Sequence, residues 1–328
     1  DVANAYLHDG TLTDNPPIPA AERTGRHWAD AGAMQRRQHD SNVPENLGML
    51  DLIRRRVEAF PDRFVFGEFS EEPEISGAYA APNEGLHAGY TFNMLLARER
   101  TPAFVKKNLE VLARYPDHWP CVSFSNHDVP RTVTRFAEGA DPAAVARLMF
   151  AVLATLRGTV LMYQGEELGL PDGDLRRDQL RDPVGDLYYP DNKGRDGCRI
   201  PMPWDEGLNH GFSAGAPWLP AAPEHAGLSV ASQAADPGSM LAFTKALLAL
   251  RRASPALRQG RIDLLEAGPA VLAFTRTEGD ETVLCVFNMG DAPVTLEAPA
   301  LTGGKTLLPL GSDDERTLGG LGFRISRL

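Results

Sequence analysis

Cysteine is scarce: Cys121, Cys198 and Cys285 are scattered and odd in number across 328 residues. Such spacing builds neither a disulfide framework nor a paired-cysteine metal site, and it favours a reducing compartment. Positive charge is also short. Lys plus Arg number 33 against 44 Asp plus Glu, a net charge of -11, and this balance repels phosphate backbones and anionic lipid surfaces. Neither nucleic acid nor a membrane is therefore expected as a partner. Long hydrophobic runs are missing too. The most apolar window, LMFAVLATLRGTVLMY, is interrupted by Arg157 and Gly158, so it reads as a core helix followed by a strand rather than a membrane span. An initiating Met is lacking, the first residue being Asp1. A cytoplasmic location is expected, with the periplasm left open. What remains, 43% hydrophobic and 23% charged residues, is enough for a sizeable core and more than one domain.

Helical and strand-like patterns alternate along the chain. VPENLGMLDLIRRRVEAFPD carries Pro44 near its start and Pro61 past its end, with apolar residues at helical spacing between them. RFVFGEFSEE follows, a short apolar run ending at Gly67-Glu68 as a buried parallel strand does. The helix AFVKKNLEVLARYPD then precedes a strand in CVSFSNHD, and the helix DPAAVARLMFAVLATLRG, with Asp141 as cap and Pro142 in first position, precedes a strand in TVLMYQGEELG. A further strand is expected in LHAGYTFNML. Such alternation signals a parallel sheet with crossover helices. GSMLAFTKALLALRRASPALRQG reads as the last long helix, after which AVLAFTRT and TVLCVFNMG, with turns at Gly279-Asp280 and Gly290-Asp291, read as a small antiparallel sheet domain. The domains expected are 1-258, with a long loop region of about 169-238, and 259-328. A loop of that length usually carries function.

Polar residues cluster where the strands stop: Glu68, then Asn126-His127-Asp128, then Gln164 to Glu167. A barrel of parallel strands places its catalytic groups at those C-terminal strand ends. Each cluster also has an ordinary reading. Glu68 alone is a capping or salt-bridge acid, Asn126-His127-Asp128 can be an Asx turn with a helix cap, and Gln164 to Glu167 is best read as bonding neighbouring loops. His127 beside Asp128 is costly to desolvate without purpose. His87, Trp204 and Trp218 are taken as packing or subsite residues. About four strands are found where a closed eight-stranded barrel needs eight.

FVFGEFSEE, VSFSNHDVPRTVTRF, YQGEELGL and GRDGCRIPMPW, in this order, resemble the later motifs of glycoside hydrolase family 13, in its bacterial α-glucosidase and oligo-1,6-glucosidase branch. The opening DVANAY is similar to the end of that family's nucleophile motif, which reads Gly-Phe-Arg, an apolar residue, then Asp. The resemblance implies the C-terminal half of a TIM (β/α)8 barrel followed by a small antiparallel β-sandwich domain. It implies a retaining, exo-acting α-glucosidase of short oligosaccharides, with Asp1 as nucleophile, Glu68 as acid/base and Asp128 hydrogen-bonding sugar hydroxyls. His127, Arg195, Phe92 and Val2 become substrate-binding residues. Val2 after the nucleophile goes with α-1,6 linkages in this branch, with α-1,4 ends also admitted. Arg199-Ile200-Pro201-Met202 departs from the usual Arg-Thr-Pro-Met, and Ala5 is small where some relatives carry an aromatic; both bear on the acceptor subsite.

No cofactor and no metal ligand are implied within the sequence, and a structural divalent cation, where relatives have one, lies upstream of Asp1. The partner expected is a small oligosaccharide, and oligomeric state is left open. A glucosyl-transferring or sucrose-isomerising relative remains an alternative, as does a catalytically silent structural subunit. A metal-dependent hydrolase using His127, Asp128 and Glu68 ranks last, because zinc-like spacing is missing. The resemblance also leads to the expectation that Asp1 marks a cut in a larger protein, and that these 328 residues alone are aggregation-prone and inactive.

Overall fold

The computed structural model describes residues 5–22, 34–69, 77–80, 84–91, 93–115, 117–308 and 316–328. They fall into two compact units, Asp1–Asn93 with Leu109–Cys121, and Met94–Asn108 with Val122–Leu328.

In the first unit, helix α1 (Glu45–Glu58) begins after Pro44, where the missing N–H of proline is no loss. It buries Leu50 against Phe69, Tyr79 and Leu86, with Leu47, Ile53 and Val65 at the edge of the cluster. Phe69 belongs to strand β1 (Phe66–Phe69), which pairs in parallel with β2 (Ala88–Thr91). The strand expected in LHAGYTFNML is thus present. Glu68 is the third of four strand residues rather than the residue at which the strand stops, because the parallel pairing runs on to Phe69↔Thr91. Side chains alternate across a strand, so Phe69 in the core directs Glu68 to the opposite face.

Helix α2 spans Pro102–Ala113. In the second unit the Leu161 N–H donates to the Val122 carbonyl (2.9 Å), joining β4 (Thr159–Val160) to β3 (Cys121–Val122). After a short helix α3 (Thr132–Phe136) comes α4 (Pro142–Thr155). The Asp141 carboxylate accepts from the Ala143 N–H (3.1 Å) with Pro142 in the first turn, as the sequence signals. Residues Leu148 to Thr155 are all buried, the mark of a helix covered all round. At 14 residues α4 is still short; among the described residues no helix is long and apolar enough to cross a membrane.

The stretch 169–238 reads as loop but is ordered. It contains helix α5 (Pro183–Tyr188), helix α6 (Val230–Ala234), several 3-10 turns, and an apolar cluster of its own: Leu175, Leu180, Ile200, Leu219 and Ala222. The expected last long helix is two, α7 (Met240–Ala253) and α8 (Pro255–Gln259). Pro255 cannot continue the hydrogen-bond ladder, and the Ser254 hydroxyl instead accepts from the Leu257 N–H (3.2 Å), starting the second helix.

The C-terminal sheet has the order β5-β6-β7-β11-β9: Arg261–Leu264, Val271–Glu278, Glu281–Asn288, Phe323–Arg327 and Lys305–Thr306. Gly279-Asp280 closes the β6–β7 hairpin, with Glu278 opposite Glu281. One face stacks Phe274, Phe287 and Phe323 toward Phe243 of α7 at centroid separations of 5.8 to 6.0 Å. The other face sets Val271, Ala273, Leu284 and Val286 on Leu296, Leu301 and Leu318, from the second layer formed by β8 (Val294–Thr295), β10 (Thr317–Leu318) and their flanks.

Two arginines bind the helical and sheet parts of this unit. Arg276 on β6 is fully buried and donates to the carbonyls of Thr155 (2.5 Å) and Gly260 (2.8 Å). Arg251 on α7 donates to those of Ala154 (2.7 Å), Leu156 (3.0 Å) and Gly158 (2.6 Å). Together they satisfy carbonyls that the end of α4 leaves without intrahelical partners. Arg276→Met orphans two buried carbonyls at about 1–3 kcal/mol each. The full-length protein is therefore expected to lose roughly 2–6 kcal/mol, a drop in Tm on the order of 2–6 °C by calorimetry. Exposed Arg261→Ala serves as control at about ±0.5 kcal/mol; an Arg276→Met loss no larger than the control's would refute the capping role.

Candidate active site

The loop after β3 carries Asn126, His127 and Asp128. The Asn126 side-chain carbonyl accepts from the Asp128 N–H (2.8 Å), an Asx turn that fixes the acid's direction. Behind it, the Ser125 and Thr132 hydroxyls share a hydrogen bond (2.6 Å), and Thr132 Oγ1 donates to Glu166 Oε1 (2.9 Å). Burial raises the pKa of the Glu166 carboxyl, opposed by donation from the Tyr163 N–H and the Thr132 hydroxyl. Glu166 thus serves the loop, in keeping with the structural reading of Gln164 to Glu167. Arg131, buried, donates to the Gln164 carbonyl (2.6 Å) and the Cys198 carbonyl (2.9 Å), tying three loops together. It passes so close to Gly165, at φ 91°, that a Cβ there would lie 2.5 Å from Arg131 Nη1.

Asp128 is gripped by two guanidinium groups. Its Oδ1 accepts from Arg199 Nη2 (2.8 Å) and Arg195 Nη1 (3.1 Å), and Arg199 Nε also donates to the His127 carbonyl (2.6 Å). Oδ2 faces His127 Nε2 at 3.6 Å. With Oδ1 taken by both cations, Oδ2 keeps its acceptor capacity beside His127. His127 is 60% exposed beside it, and so able to donate or accept there.

Arg195 is in turn anchored on Asp182, whose side chain has no exposed area. Asp182 Oδ2 accepts from the Arg195 Nε (2.7 Å) and backbone N–H (2.9 Å), and Oδ1 accepts from Arg195 Nη2 (3.3 Å) and from the Val184 N–H (3.1 Å) at the start of α5. Asp196 returns the tie, accepting from the N–H groups of Arg181 (2.5 Å) and Asp182 (2.7 Å). The turn that makes this possible runs through Gly194 at φ 69°, where a Cβ would fall 2.9 Å from Asp182 Oδ2. Arg195 was expected to meet sugar hydroxyls; Nε, Nη1 and Nη2 each engage a carboxylate, leaving two N–H donors over.

The structure brings His127, Asp128 and Arg195 together. Glu68, buried on β1, belongs to the other compact unit. Asp1, Val2 and Phe92 lie outside the described residues. Among the described residues no cluster of three or more His, Cys, Asp or Glu is placed to hold a metal. Asp182, Arg199 and Arg131 were missed as site residues. Asp182-Pro183 repeats the cap-proline pattern of Asp141-Pro142, and Arg199 lies within GRDGCRIP; neither signal points across the fold.

The Arg195 hydrogen bonds hold the Asp182 carboxyl down, to about 2 from an ordinary 3.8. A depressed carboxylate stabilises the fold fully above the unfolded value of about 4 and loses that contribution as pH falls toward 2. Arg195 is 40% exposed, so water screens the pair, and roughly 1–2 kcal/mol is expected from this group. The stability gap between wild type and Asp182→Asn, measured by urea unfolding of the full-length protein, should shrink from pH 5 to pH 2.5. A gap that stays constant with pH contradicts the assignment.

Comparison with known proteins agrees with this architecture. Residues 1–260 match the family described as "Alpha amylase, catalytic domain", and residues 262–325 match "Maltogenic Amylase, C-terminal domain". A "Probable alpha-glucosidase" of Rhizobium meliloti is 40% identical over 306 residues, covering 91% of this chain and 56% of that protein. An "Oligo-1,6-glucosidase" of Parageobacillus thermoglucosidasius is 31% identical over 204 residues, covering 55% and 36%. The crystal structure of the alpha-glucosyl transfer enzyme XgtA superposes with a TM-score of 0.90 at 35% identity, covering 99% of this chain and 62% of that one. The chain spans about half the length of the first of these relatives, or less. The (β/α) units with their antiparallel C-terminal domain are the TIM-barrel fold of these neighbours, and the chain belongs to the alpha-amylase family, glycoside hydrolase family 13.

Proposed function

We propose that this chain supplies the nucleophile, the acid/base and the third carboxylate of a retaining, exo-acting α-glucosidase that cleaves α-1,6 and also α-1,4 ends of short oligosaccharides. The observation that carries the reading is Asp128 gripped through Oδ1 by Arg195 and Arg199, with Oδ2 beside His127. A carboxylate so fixed can hydrogen-bond ring hydroxyls more strongly as positive charge develops in the transition state.

In this reading the Asp1 carboxylate attacks the anomeric carbon while Glu68 gives its proton to the departing glycosidic oxygen. Glu68 then takes a proton from water, whose oxygen displaces Asp1 and releases glucose. Retention by this route requires the two carboxyl groups about 5–5.5 Å apart, one ionised and one protonated. Transfer to a sugar hydroxyl instead of water partitions the same intermediate. The likeness to an alpha-glucosyl transfer enzyme at 35% identity keeps that outcome in view.

In the full-length protein, Glu68→Gln should slow hydrolysis of isomaltose by about 10²–10⁴-fold. The same change should slow formation of the glucosyl intermediate from a dinitrophenyl α-glucoside far less, because that leaving group departs without a proton. Equal losses in bond cleavage on both substrates would exclude Glu68 as the acid. Val2→Thr should raise the maltose-to-isomaltose ratio of kcat/KM, and a parent protein inert on isomaltose removes the basis for Val2 as a linkage determinant.

A further inference from the structure

A groove of about 660 Å³ opens in the second unit between the 178–181 turn, the 206–210 turn and Trp218, and its lining does not include Asp128. Its volume is in the range of small-molecule sites. Trp218 is 66% exposed, an unusual state for the largest apolar side chain. Its backbone is nevertheless fixed. Leu219 and Ala222 beside it are buried in the cluster with Leu175, Leu180 and Ile200, and Pro217 and Pro220 restrict the chain on either side. The indole is therefore a flat apolar surface displayed on a rigid support rather than a loose side chain.

The opposite wall is also built at a cost. Asn209 and His210 both hold left-handed backbone, φ 51° and 54°, a conformation disfavoured for residues with a Cβ. It is kept by Asn209 Nδ2 donating to the carbonyls of Ser213 and Gly215 (both 2.9 Å) and by His210 Nε2 bonding the Ala222 carbonyl (3.0 Å). Between the walls stand donors and acceptors of both signs. Arg181 donates to the Leu180 carbonyl (3.1 Å) and makes no ion pair among the described residues. Gln179 accepts from the Arg176 N–H through Oε1 (2.9 Å), which leaves its amide N–H₂ as donor. Asp178 is held by Arg176, which donates to Oδ1 (3.1 Å) and Oδ2 (3.0 Å), and Glu206 Oε2 accepts from the Gly227 N–H (3.4 Å); the remaining lone pairs of the two carboxylates supply acceptors. The two carboxylates repel phosphate esters, and the guanidinium groups of Arg181 and of Arg176, paired with Asp178, offset their attraction for cations.

A flat apolar ring facing mixed donors and acceptors of nearly balanced charge fits a neutral pyranose, whose ring faces are apolar and whose rim is hydroxyl. We infer that this groove is a second carbohydrate-binding site, with Trp218 stacking on one glucosyl unit of an oligosaccharide and the Arg181, Gln179, Asp178 and Glu206 side chains meeting its hydroxyls. The choice of glucose as the unit rests on the proposed α-glucosidase reading; the pyranose chemistry rests on the groove alone. Arg181 in the groove is the chain neighbour of Asp182 in the candidate site, and the N–H groups of both donate to Asp196 Oδ2. The bound unit is either the far end of a substrate or part of a separate chain.

The test compares full-length wild type, Trp218→Ala and Trp218→Phe. Retardation on native gels containing dextran or amylose reads binding without turnover. Initial rates on isomaltotetraose, maltotetraose and a nitrophenyl α-glucoside read catalysis. Trp218→Ala should weaken polymer retardation, raise the tetraose KM, or both, by about fivefold, with Trp218→Phe within about twofold of wild type and the nitrophenyl glucoside rate unchanged. Loss on tetraoses alone marks the substrate's far end as the ligand, and loss of polymer retardation alone marks a separate glucan chain. Unchanged retardation and unchanged tetraose KM in Trp218→Ala overturn the proposal, as does an equal loss on the nitrophenyl glucoside. A wild type that is retarded by polymer yet inert on every glucoside would refute the glucosidase reading and leave the groove standing.

Discussion

Everything at the candidate site hangs on one guanidinium group held between two carboxylates. Arg195 reaches Asp128 because Asp182 fixes it from behind through both backbone and side chain. A long flexible side chain loses about 2 kcal/mol of rotamer freedom when ordered, and a buried bidentate partner meets that loss before any ligand arrives. Arg199 then adds a second positive charge on the same oxygen of Asp128. Asp128 is thereby aimed and one-sided, with Oδ2 beside His127. Such preorganisation is what gives electrostatic stabilisation of a transition state its size.

The segment 169–238 takes its meaning from that contact. It has too little amphipathic pattern for long regular elements, and beyond two short helices it is held by local caps, turns and a small cluster around Ile200. Its 3-10 turns and α5 deliver Asp182, Arg195 and Arg199 to a loop about seventy residues earlier in the chain. Arg131 fastens the same surfaces from beneath through the Gln164 and Cys198 carbonyls. Arg276, buried, and Arg251, half-buried, play a comparable part further back, closing the end of α4. Guanidinium groups do this repeatedly here because one planar fork can satisfy several carbonyl or carboxylate oxygens at once.

Where order is written in local chemistry, the sequence shows it plainly. The Asp141-Pro142 helix start, the Gly279-Asp280 hairpin and the alternation that places His127 and Asp128 after a strand all appear in the structure as the residues indicate. Arg195 was visible through the GRDGCRIP motif. Asp182 was not, because an acid before proline reads completely as a helix cap, and nothing local says that its other oxygen meets a residue thirteen positions on. Arg199 was hidden for a related reason, its partner being Asp128. The α7–α8 break was written in Ser254-Pro255 but obscured by apolar residues continuing at helical spacing. Glu68 lay inside its strand because pairing with β2, a long-range event, sets where β1 ends.

The central claim is that Asp182 acts on the chemistry only through Arg195. A double-mutant cycle measures this: kcat/KM on a nitrophenyl α-glucoside for full-length wild type, Asp182→Asn, Arg195→Ala and the double variant. If Asp182 serves to aim Arg195, each single change lowers the rate, and Asp182→Asn has no further effect once Arg195 is alanine, a coupling of about tenfold or more. Losses that simply multiply in the double variant would show that the two residues act independently, and would contradict the account.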